Sequence, residues 1–156
     1  MRKKIPAARQ AAGFLFAACI VIILFATVFT GITIVPYKDR SLNIIPFKVL
    51  METWKMGVIK QIAQTLANIV MFMPLGFIFP VVFINARKLY KTAIYMASFS
   101  FLIEFVQYFT GRQADIDDIM LNTLGGITGY FLFLTAMKLF KDKKFWKKLT
   151  GLYNYK

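Results

Sequence analysis

The chain alternates between long apolar runs and short polar intervals. The apolar runs cover residues 11–35, 62–84, 92–110 and 119–140. A helix needs roughly 20 apolar residues to cross the hydrocarbon of a bilayer, and each run reaches or approaches that length. The pattern therefore predicts four membrane-spanning helices. Pro74 lies inside the second run and is expected to kink it. Gly125, Gly126 and Gly129 lie inside the fourth.

Polar residues within the spans follow helical stripes. In the third, Ala97, Ser100, Glu104, Gln107 and Gly111 recur every three or four positions, and Phe101, Phe105 and Phe109 keep to another side. In the fourth, the stripe is Asp115, Asp118, Asn122, Gly125 and Gly129, and its G-x-x-x-G pair admits a neighbouring helix at close range. The second contributes Gln61, Gln64, Asn68 and Phe72. Glu104 is the most demanding member. A carboxylate among hydrocarbon costs on the order of a few kcal/mol, so such residues face a bundle interior or a cavity. At about 1.5 Å per helical residue, Glu104 lies roughly 10 Å, Asn68 about 9 Å and Asn122 about 6 Å below the nearer ends of their spans. The stripes predict a polar pocket at one depth, roofed by Arg112 and the aspartates of TGRQADIDDIMLN. Asp117 is expected to cap the fourth helix or to face solvent.

Composition agrees with this reading. Of 156 residues, 58% are apolar, and a single soluble domain could not bury that share. The mean hydropathy is +0.60. The first run exceeds a signal-peptide core and reads as an uncleaved anchor, with Cys19 facing lipid or filling space. One cysteine forbids an internal disulfide, and the absence of histidine removes His-based catalytic triads and metal sites. No cofactor or metal is expected.

Charge sets the orientation. Of twenty Lys and Arg residues, fourteen flank the spans at the N-terminus, between the second and third spans, and in the tail. Those segments, and so both termini, are expected in the cytoplasm. Five of the seven acidic residues fall in the opposite loops. The net charge of +13 is thus a membrane-topology feature; nucleic acid is not an expected partner, and membrane lipids are. Two segments look interfacial. Phe47, Leu50, Met51, Trp54 and Val58 share one helical face and suit a helix on the outer surface. The basic tail, residues 141–156, spaces Trp146, Leu149 and Tyr153 similarly and is expected to rest on the anionic inner leaflet. The expected fold is all-α: one membrane domain over residues 1–156, with four transmembrane helices and an outer interfacial helix between the first two.

The motif N-x-x-x-F-x-P-x-G (Asn68, Phe72, Pro74, Gly76) is followed by E-x-x-Q (Glu104, Gln107) and GRQADIDDIMLNTLGGITGY. Together with LN-x-I-P-F (Leu42, Asn43, Ile45, Pro46, Phe47), it resembles the VanZ-like family over residues 41–130. The resemblance carries over to Asn68, Pro74, Gly76, Glu104, Gln107, Arg112, Asp115, Asp118, Asn122, Gly125 and Gly129. It implies a bacterial plasma-membrane protein. The family's founding member is linked to resistance to teicoplanin, a glycopeptide acting on cell-wall precursors at the outer face.

The expected ligand-binding residues are Asn68, Glu104, Gln107, Arg112, Asp115, Asp118 and Asn122. The first functional expectation is a cell-envelope factor binding a lipid-linked wall precursor or the lipid tail of a lipoglycopeptide. A second is a membrane enzyme on a lipid-linked precursor, with Glu104 and Asp118 as acid and base, Arg112 on a phosphate, and Mg²⁺ held by Asp115, Asp118 and Glu104 as a conceivable addition. A third is a proton-coupled carrier with Glu104 as relay.

Overall fold

Hydrocarbon offers backbone amides no partners, so apolar runs of this length satisfy themselves as helices. A computed structural model describes residues 6–29, 41–48, 51 and 57–151, with Lys60 and Gln61 described in their backbone only. The elements in order are α1 (Ala7–Thr27), β1 (Leu42–Asn43), α2 (Val58–Val82), a 3-10 turn (Ile84–Ala86), α3 (Leu89–Phe109), β2 (Ala114–Asp115), α4 (Ile116–Phe140) and the short α5 (Lys144–Thr150). The four long helices are apolar and long enough to cross a membrane. At 21 to 25 residues they extend about 32 to 38 Å. The chain is a multi-pass membrane bundle. Its outer surface is apolar: Phe14, Ile22, Phe25, Ile94, Phe101 and Phe105 are all exposed.

α2 and α4 form the central pair, with α1 against α2 and α3 against α4. Glycine sets the spacing of that pair. A Cβ at Gly125 would collide with the Ile69 carbonyl, and one at Gly129 with that of Met73. One at Gly76 would strike the Gly126 carbonyl, so each helix offers small residues to the other. The expected G-x-x-x-G face therefore meets α2. Phe16, Ile23, Phe72, Phe79, Met96 and Ile103 fill the core between the helices. Cys19 is half-buried against that core.

The spans differ from expectation at their ends. Each helix begins three or four residues earlier than the hydropathy suggested, and all but α4, whose end matches, end sooner; polar residues such as Arg9, Lys60, Lys91 and the capped Asp117–Asp118 turn continue a helix that an apolar window leaves out. Residues 30–35 lie outside the described residues. α2 runs continuously through both Pro74 and Pro80.

Two further features mark the bundle ends. β1 and β2 form a two-stranded parallel bridge, Leu42 beside Ala114 and Asn43 beside Asp115, a small addition to an all-α bundle. The interfacial helix expected after it includes Leu50 and Trp54, which lie outside the described residues. At the other end, Trp146, expected with Leu149 and Tyr153 on a leaflet-facing side of the tail, turns inward, while Phe145 of the same helix is exposed. Trp146 is buried against Ala12, Val81 and Phe133, because a large ring gains more from a packed apolar cleft than from an interface. Arg87 fastens α5, donating from Nε to the Pro80 carbonyl at 2.8 Å and from Nη2 to the Thr150 carbonyl. Tyr153 lies outside the described residues. The Ala12–Trp146 cluster puts the beginnings of α1 and α5 at one end, with the 110–118 loop at the other.

Candidate functional site

Residues 110–118 close the bundle end between α3 and α4. Gly111 adopts φ 81°, a left-handed conformation that glycine takes without steric cost. The turn sends Ala114 and Asp115 across to Ser41–Asn43: the Ala114 amide donates to the Ser41 carbonyl at 3.1 Å. Asn43 Nδ2 donates to Asp115 Oδ1 at 2.9 Å. Asp115 is then the N-cap of α4, its Oδ1 also accepting from the Asp117 amide at 2.9 Å. Capping satisfies an amide that the helix itself cannot, and the helix dipole favours acids at Asp117 and Asp118 in the first turn.

A cavity of about 640 Å³ opens beside this turn. Gln64, Thr65 and Asn68 of α2 and Asp115, Asp117 and Asp118 make its polar part. Phe47, Ala97, Met120, Leu124 and Ile127 are among its apolar walls. Such a volume suits a small organic ligand, and a mostly apolar wall with a few convergent polar groups is the usual make-up of such sites. Asn68 Nδ2 donates to Asp118 Oδ1 at 2.6 Å across the cavity wall. The Phe47 amide donates to Asp117 Oδ1. Phe47 holds φ 62°, rare for a bulky residue, and this hydrogen bond helps to keep it there.

The seven expected residues divide into two groups. Asn68, Asp115 and Asp118 line the cavity. Glu104, Gln107, Arg112 and Asn122 do not. Glu104 is buried, and its Oε2 accepts the Asp115 amide at 2.7 Å, so it props β2 from beneath. Gln107 Nε2 and Arg112 Nη1 both donate to the Thr27 carbonyl, at 2.8 and 2.6 Å. They supply donors, one of them cationic, where α1 ends and its carbonyls lack helical partners. Asn122 Nδ2 donates to Ser100 Oγ at 2.9 Å, tying α4 to α3. Gln64 is exposed although it lines the cavity. Arg112 interacts electrostatically with both Glu104 and Asp118 without lining the cavity. Among the described residues the three carboxylates at the wall thus face no lining cation. Among the described residues no group of acids is arranged to hold a metal ion.

Besides Phe47, Gln64 and Thr65 on the lining, Asn43 and Asp117 fall outside the expected set. Asn43 orients Asp115, and its place in the LN-x-I-P-F element was the available signal. Asp117 was expected to cap or to face solvent. It is 8% exposed, it lines the cavity, and its Oδ2 has no hydrogen-bond partner among the described residues. The stripe arithmetic passed it over because residues 41–47 cover this turn, and that cover is invisible to helical periodicity.

The model describing the VanZ/LLP1 family matches residues 13–140, a wider stretch than the motifs alone cover. The chain is also similar to Protein VanZ of Enterococcus faecium, with 29% identity over 124 residues, covering 79% of this chain and 71% of that protein. No solved structure shows a significant match.

Proposed function

The chain belongs to the VanZ/LLP1 family, and from that membership we propose that it is a bacterial plasma-membrane, cell-envelope factor contributing to resistance against glycopeptides, teicoplanin and lipoglycopeptides in particular. The observation that carries the reading is the acid-lined cavity at the bundle end opposite α5. Arg9, Arg87, Lys88, Lys91 and Lys138 gather toward the α5 end, which favours that end in the cytoplasm. The cavity then belongs to the outer leaflet. A lipid-linked wall precursor or the lipid tail of a lipoglycopeptide meets the membrane at that depth, and the cavity's apolar wall suits an aliphatic chain.

The enzyme alternative has less support. It requires Glu104 and Asp118 to converge on a substrate, yet Glu104 holds the Asp115 amide and stands off the cavity wall. The same hydrogen bond weakens the case for Glu104 as a mobile proton relay.

Deleting the gene and restoring it as wild type, Asn68→Ala or Asp118→Ala tests the reading, with membrane levels of each variant checked. Teicoplanin susceptibility is expected to rise on deletion and to be restored only by the wild type. Unchanged susceptibility on both deletion and overexpression would overturn it.

A further inference from the structure

We propose that the cavity selects amphiphiles with a primary ammonium head on an aliphatic chain, over chain-matched neutral or anionic ones. The inference rests on the reading of this cavity as a ligand site and adds the ligand's charge class.

Charge complementarity carries the argument first. Asp115, Asp117 and Asp118 line one end of the cavity, and no lysine or arginine among the described side chains lines it. Arg112 stands behind the wall with its Nη1 on the Thr27 carbonyl. Three carboxylates gathered at one end set up a negative field, so this end favours a donor-bearing cation and repels an anion; of the ligands proposed above it favours the lipoglycopeptide over a phosphate-bearing wall precursor. The second observation is Asp117. Its Oδ1 is engaged by the Phe47 amide, whereas its buried Oδ2 accepts from no group among the described residues. Thr65 Oγ1, also on the lining, is likewise buried without a partner. An ammonium supplies N–H donors and the positive charge together. A quaternary head supplies the charge alone.

The walls decide the other half of the ligand. Ala97, Leu124 and Ile127 continue the cavity away from the carboxylates toward the bundle's middle. Met120 and Leu124 line it and are also exposed on the lipid-facing surface of α4. The mouth therefore opens on the bilayer, and a ligand enters with its head toward the loops and its chain along the helices.

The test uses the full chain in phosphatidylcholine nanodiscs, titrated with radiolabelled dodecylamine against empty discs. Saturable binding above the empty-disc background is expected. Unlabelled dodecylamine should displace it, dodecyltrimethylammonium should displace it less well, and dodecanol and laurate should not. Asp117→Asn keeps an acceptor for the Phe47 amide and removes the charge, and it should weaken binding about tenfold, the scale of one hydrogen bond to a charged group. Asp118→Asn, which keeps an acceptor for Asn68, serves as a second charge-removing variant should the first fold poorly. Displacement by laurate or dodecanol as effective as by dodecylamine would overturn the proposal. Absence of saturable excess binding, or wild-type affinity in both variants, would do the same. Binding without any effect of gene deletion on teicoplanin susceptibility would sustain this inference and defeat the resistance reading; the converse result would do the opposite.

Discussion

Asn68 Nδ2 and Asp118 Oδ1 lie 2.6 Å apart, joining the middle of α2 to the first turn of α4 at the cavity wall. An amide opposite a carboxylate gives a charge-assisted hydrogen bond in a setting where water competes poorly. Asn68→Asp would set two carboxylates face to face and should destabilise the protein more than Asn68→Ala. Losing a bond to a charged group costs about 1.5 to 3 kcal/mol, and the repulsion adds to it. The double variant Asn68→Asp with Asp118→Asn restores the pair with its roles exchanged and should recover most of the loss. Thermal unfolding in detergent, read as a double-mutant cycle, checks this.

Gly125→Ala and Gly129→Ala should each destabilise the bundle, because the new methyl meets the α2 backbone at Ile69 or Met73. Backbone cannot move aside as a side chain can, so a cost of about 1 to 3 kcal/mol is expected. Gly13→Ala is the control. Nothing lies within 4 Å of its Cβ position, and it should be neutral or stabilise α1 by up to about 1 kcal/mol through helix propensity. Unfolding midpoints of the three variants separate collision from propensity.

Gln107 and Arg112 share one acceptor, the Thr27 carbonyl. Removing either should leave the other to hold the end of α1, and removing both should free it. Gln107→Ala and Arg112→Ala are therefore expected to be non-additive, the pair costing more than the sum of the singles. Hydrogen exchange at residues 26–29 is the direct readout. Equal exchange in the double variant and the wild type would contradict the shared-acceptor account.

Arg87 bridges α2 and α5 through two carbonyls, those of Pro80 and Thr150. Lysine has a single ammonium on a flexible stem and lacks the planar fork that reaches both. Arg87→Lys should loosen α5 and wet Trp146, which is now packed among Ala12, Val81 and Phe133. In a Trp54→Phe background, a red-shifted emission of Trp146 is the expected signal.

Much of the bundle was legible in the sequence because its signals are local. In α3, Ser100, Glu104 and Gln107 are buried and Phe101, Phe105 and Phe109 are exposed, as their spacing implied. In α4, Asn122, Gly125 and Gly129 are buried on one face in the same way. The candidate site was less legible. Glu104 reads as the chemical centre on intramembrane cost alone, yet a single backbone amide accounts for one of its oxygens. Asp117 reads as a cap or a surface acid, yet residues from the loop before α2 bury it.

By itself the sequence determined that this is a four-helix membrane bundle with polar residues turned inward, since apolar run length and helical period depend only on neighbours along the chain. It also determined that α4 carries a glycine face for close packing. Tertiary structure alone decided which polar residues open onto the cavity and which are spent holding helix ends. Those partners are far apart in the chain: 50 residues separate Asn68 from Asp118, 72 separate Asn43 from Asp115, and 85 separate Thr27 from Arg112. A polar residue's role inside a membrane is set by the donor or acceptor it meets, and no periodicity names that partner.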